Sequence, residues 1–155
     1  MQRRRSKMDA EVKETQDFQG YIHEDASEKI PEIKGVYCAY ACTKNTKTNK
    51  WELQDIVYFG KSEEGDSSIR TRVIAHKSAN DNARSTLTKG EKLAYAYAKT
   101  DNPDVCEKAL VAAHDDLPRL SNDRLTNGYK GPSVELAITG KARGMKTRIH
   151  FDSGE

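Results

Sequence analysis

The chain has 155 residues, with 26 Lys or Arg against 24 Asp or Glu, a formal charge of +2 and a pI of about 8.4. No apolar run nears the roughly 20 residues that a membrane helix needs, and the Met1-Gln2-Arg3-Arg4-Arg5 start has no hydrophobic stretch behind it. The sequence therefore reads as neither secreted nor membrane-inserted, and a cytoplasmic location is expected. An apolar content of 35%, with 32% charged residues and a mean hydropathy of −0.87, predicts one domain with a thin core and a large solvated surface. Taken whole, the near-neutral charge argues against a polyanionic partner.

Residues 1–30 mix six basic and seven acidic side chains with few apolar positions, and are read as a polar extension holding at most a short frayed helix. Order is expected from Pro31. In residues 35–43, Val36, Cys38, Tyr40 and Cys42 alternate with Tyr37, Ala39 and Ala41, which is a strand pattern. Turn residues and three lysines, Lys44, Lys47 and Lys50, lead to a second strand over 51–59, so the pair predicts a hairpin with a basic tip. A helix over 68–79, capped by Ser67 or Ser68, would carry Arg72 and His76 four residues apart on one face. A third strand is expected over 92–99, and Asp101-Asn102-Pro103 marks a helix start that runs to about residue 115. Residues 134–139 and 147–151 are two short candidate strands. Cys38, Cys42 and Cys106 have no Cys-x-x-Cys spacing and read as reduced, buried thiols.

The fold class this implies is α/β (α+β): a small three-stranded antiparallel sheet flanked by helices, with short N- and C-terminal extensions. Its segments are residues 1–30, a core over 31–125 and a basic tail over 126–155. Such an order of elements assigns no function by itself. Gly35-Val36-Tyr37 and Tyr58-Phe59-Gly60, followed by Arg72 with His76, then Glu107 with Leu110 and Val111, then Pro118 and Asn122, give it content. Over residues 33–122 this ordered set resembles the GIY-YIG nuclease domain. Val36 and Phe59 stand where that family has isoleucine, the loop between the strands is long for it, and the asparagine is Asn122, or Asn127 if the loop after the helix is drawn differently.

The resemblance implies a metal-dependent endonuclease that hydrolyses phosphodiester bonds in nucleic acid, with DNA the expected substrate. Such chemistry needs a base for water, a cation for the charge building on phosphorus, and help for the departing oxygen. By analogy with the family, Tyr37 is the general base, its phenol lowered by Lys61 or His76. Arg72 clamps the phosphate with its planar fork, and Glu107 ligates Mg²⁺ or Mn²⁺. Tyr58 orients phosphate or water, and Asn122 holds the site together. By segment the net charge is −1 over 1–30, +1 over 31–125 and +2 over 126–155. Lys141, Arg143, Lys146 and Arg148 thus form a candidate basic strip for nucleic acid, together with Lys44, Lys47 and Lys61. The alternative is a non-catalytic nucleic-acid-binding module on the same scaffold. His23, His114 and His150 receive no role.

Overall fold

A computed structural model describes residues 10–63, 68–77, 81–122 and 128–153. Six strands form one mixed sheet, curled into half a barrel: β1 (Val12–His23), β2 (Gly35–Asn45), β3 (Lys50–Ser62), β4 (Lys92–Lys99), β5 (Val134–Gly140) and β6 (Arg148–Phe151). Their spatial order is β3-β2-β4-β1-β5-β6. Helix α1 (Ile69–Ala75) follows β3, and α2 (Pro103–Ala113) follows β4; short 3-10 turns occupy Glu24–Lys29 and Asn82–Arg84.

The sheet corrects the expected three-stranded architecture. Strands β2, β3 and β4 do pair antiparallel, but β1 lies against β4 on one side and runs parallel to β5 on the other, so residues 12–23 of the supposed polar extension are a central strand. Its pattern was hidden because Glu14 and Gln16 take core-facing positions between Val12 and Phe18. Gln16 and Phe18 are fully buried, while Lys13, Thr15, Asp17 and Gln19 are exposed on the other face. Glu14 is tolerated there because its carboxylate accepts from the Thr100 hydroxyl and the Asn102 amide, each at 2.6 Å. The tail is likewise part of the fold, since β5 and β6 extend the same sheet.

Alternation along β2 sends side chains to two separate cores. Val36, Cys38 and Tyr40 pack with Cys106, Ala109 and Leu110 of α2, and with Phe18, Leu136 and Ile138. Tyr37, Ala39 and Ala41 pack on the opposite face with Ile69 and Val73 of α1, Val57, Leu93 and Tyr95. Both faces of this strand are therefore covered, while on β1 the side chains of Lys13, Thr15, Asp17 and Gln19 stay exposed. The three thiols are free and buried. No helix among the described residues is long and apolar enough to cross a membrane.

Two close approaches fix the motif glycines. A Cβ on Gly35 would lie 2.1 Å from the Ala98 carbonyl oxygen, so β2 and β4 could not meet there. A Cβ on Gly60 would lie 2.2 Å from Cζ of Tyr37, whose ring occupies that space on the neighbouring strand.

Candidate functional site

The site forms where α1 and α2 approach the edge strand β3 from opposite faces of the sheet. Ser68 starts α1 by accepting from the Thr71 amide, and Ile69 and Val73 anchor it on the sheet. Arg72 is exposed on its outer side. The helix ends at Ala75, not at 79 as expected, and residues 78–79 lie outside those described. His76 is its C-terminal cap and is only 4% exposed, whereas Arg72, four residues earlier, is exposed.

His76 connects two elements. Its Nε2 lies 2.5 Å from the Tyr37 hydroxyl, and its Nδ1 lies 2.5 Å from Oδ2 of Asp81. A carboxylate can only accept, so Nδ1 carries the proton and Nε2 accepts from the Tyr37 O–H. The rings of Tyr58 and Tyr95 approach the imidazole with centroids at 5.1 and 6.3 Å. Burial lowers the His76 pKa from its ordinary value, and the Asp81 hydrogen bond opposes that. Burial also raises the phenol of Tyr37, with the Arg72 charge acting against it.

Arg72 faces an open cleft of about 360 Å³ that it lines with Lys61, Glu63 and Glu107. Asn102 and Pro103 open α2, although Asn102 makes no side-chain cap bond and spends its amide on Glu14. Glu107, half-buried in the second turn, meets the cleft. Its carboxyl is pushed up by burial, with Lys61 and Arg72 pulling it down. Lys61 is engaged by Asp104 at 2.7 Å and Glu63 at 2.9 Å, and that bond holds the Asp104 carboxyl below its ordinary range. Lys61 and Arg72 thus balance Glu63 and Glu107 on the cleft lining, with Asp104 a further carboxylate on Lys61. A phosphate entering alone would meet the two carboxylates at close range; a divalent cation on Glu107 would reverse that.

Glu107 shares the cleft with Glu63, and no group of three or more His, Cys, Asp or Glu suited to a metal occurs among the described residues. That donor set still fits Mg²⁺ or Mn²⁺, which bind through one or two carboxylates and complete their shell with water and substrate phosphate.

The sequence-predicted residues are distributed as follows. Lys61, Arg72 and Glu107 share the cleft, and Tyr37, Tyr58 and His76 lie together behind it, with Tyr37 fully buried. The Arg72 charge acts on both the Tyr37 hydroxyl and the Glu107 carboxyl, which ties the two groups together. Asn122 accepts from the Phe59 amide and donates to its carbonyl, both at 2.8 Å, clamping β3 between the motif residues Tyr58 and Gly60. Asn127 lies outside the described residues. The basic side chains are placed on several elements. Lys44 and Lys47 are exposed at the hairpin tip, and Arg143 donates to the Leu53 carbonyl. Exposed Arg148 lines a separate hollow with Lys13, Glu14 and Glu135, while Lys141 and Lys146 are exposed on the connection from β5 to β6.

Sequence reasoning missed Asp81 and Tyr95. Asp81 sits in a polar run, Asn80-Asp81-Asn82, whose only local signal is capping; Tyr95 reads as sheet packing. Comparison with family models, with curated proteins and with solved structures finds no match to the chain.

Proposed function

We propose that the protein is a metal-dependent endonuclease of the GIY-YIG type, acting on nucleic acid and most naturally on DNA. The observation that carries this reading is the convergence of Arg72 and Glu107, from helices on opposite faces of the sheet, on one cleft in front of the Tyr37–His76 pair. The ordered motifs from Gly35 to Asn122 support it. Three reduced, buried thiols favour a cytoplasmic setting.

In this reading Arg72 binds the scissile phosphate through its donor fork and stabilises charge on the non-bridging oxygens. Glu107 holds the divalent cation, which when bound supplies electrophilic stabilisation of the phosphate and leaving oxygen. Tyr37 gives its hydroxyl proton to His76 Nε2 and accepts one from water, so the phenol needs no free base of its own. Tyr58 packs against both rings and orients them. Lys61 steers the backbone, and Asn122 keeps the edge strand in register.

A plasmid nicking assay tests the proposal. Nicking is expected with Mg²⁺ or Mn²⁺ and should stop with EDTA; Arg72→Ala and Glu107→Gln should each slow it by about 10²-fold or more. Absence of metal-dependent nicking on plasmid, branched DNA and RNA overturns it. The second reading, a non-catalytic nucleic-acid-binding module, is favoured by the full burial of Tyr37. It gives salt-sensitive binding without cleavage.

A further inference from the structure

We propose that Asp81 is a positioning residue: it fixes the tautomer of His76 so that Nε2 faces Tyr37 as a bare acceptor, and it neutralises the imidazolium that forms when His76 takes the proton. The catalytic half of this proposal rests on the nuclease reading; the tautomer half does not.

Asp81 is placed for this by an arrangement that serves no other visible purpose as fully. Its Oδ2 meets Nδ1 of His76 at 2.5 Å and also accepts from the Ala83 amide at 2.8 Å, so the carboxylate is held by the turn it starts. Arg84, in that same turn, donates through Nε to the His76 carbonyl at 2.6 Å and pairs with the buried Glu24. Glu24 in turn accepts from the Leu93 amide of β4. The imidazole is thus braced at ring and backbone from a turn that is anchored to the sheet.

Other groups facing His76 do not replace this role. Tyr37 from β2, Tyr58 from β3 and Tyr95 from β4 surround the ring but carry no charge at neutral pH, and Arg72 and Arg84 disfavour a cationic imidazole. Asp81 is the carboxylate that touches the ring. Without it, burial and two guanidiniums would all oppose uptake of the proton.

The test uses the full-length ¹⁵N-labelled chain and the variant Asp81→Asn. Asparagine is an equally good cap, so the 82–84 turn is retained while the charge is removed. Long-range ¹H–¹⁵N spectra of the metal-free, DNA-free wild type should show neutral His76 protonated on Nδ1 and bare on Nε2. In Asp81→Asn the His76 titration midpoint should move to lower pH. The acid limb of the cleavage rate, where protonated His76 cannot accept, should move with it, and the plateau rate should fall by about 10²-fold. Wild-type His76 protonated on Nε2, or a titration midpoint unchanged by Asp81→Asn, overturns the proposal. Failure of the wild type to cleave DNA overturns only the nuclease reading, because both spectroscopic results are read without substrate.

Discussion

Gly60 shows how one missing side chain shapes the site. Its Cα lies under the Tyr37 ring, and an added methyl would sit 2.2 Å from Cζ and 2.3 Å from the hydroxyl that bonds His76. Gly60→Ala is therefore expected to cost about 1–3 kcal/mol as an overpacking change, and to break the Tyr37–His76 contact as the ring moves. Urea unfolding measures the first effect and the cleavage rate the second; a variant as stable and as active as wild type would contradict this packing. The need for glycine at positions 35 and 60 was readable as a motif, but its reason was not, because the crowding atoms belong to the neighbouring strands. Asp81 was unreadable for a related reason: a capping aspartate and a histidine-orienting aspartate look the same in sequence, and here one oxygen does both.

Among the elements, those with a strong local signal were legible. The alternation of β2, the Leu93-Ala94-Tyr95-Ala96-Tyr97 pattern of β4 and the Asp101-Asn102-Pro103 start of α2 gave strands and a helix close to where they lie. Strand β1 was not legible, since Glu14 and Gln16 break the apolar period on its core face, and the partners that hold the Glu14 carboxylate, Thr100 and Asn102, lie far along the chain just after β4. The extent of α1 was overread because an uncapped polar run continued beyond Ala75. The edge of β3 depends on a loop residue, and this can be measured. Asn122→Ala removes both bonds to Phe59 and should destabilise that edge by about 1–3 kcal/mol. Phe59 amide exchange should then accelerate by about 10-fold or more while amides of central β4 keep their protection. Equal acceleration throughout the sheet would assign Asn122 to global stability instead.

For the whole molecule, two buried histidines set the acid limit. His114 donates from Nδ1 to the Leu110 carbonyl at 2.8 Å, and its Nε2 accepts from the Lys146 amide at 2.9 Å, so it is neutral like His76. Burial depresses both below the ordinary value of 6.5. The unfolded chain then binds more protons than the folded one as pH falls through 6.5. Their contribution is present in full above that pH and is lost as pH falls toward the depressed folded values. Urea-unfolding free energies should be flat between about pH 7 and 8 and decline below 6.5 by up to about 1.4 kcal/mol per pH unit for each histidine. His114→Gln should remove about half of that slope; a slope that starts only in the carboxylate range would assign acid sensitivity elsewhere. The parallel pairing of β1 with β5 carries a consequence in time. Glu11 bonds to Ser133 across 122 positions of chain, and Val12 through Phe18 match Val134 through Gly140. A nascent chain emerging from the ribosome can close the β2–β3 hairpin early, but β1 waits with one edge open until β5 has been made. Folding is therefore expected to be slow, governed by this high contact order.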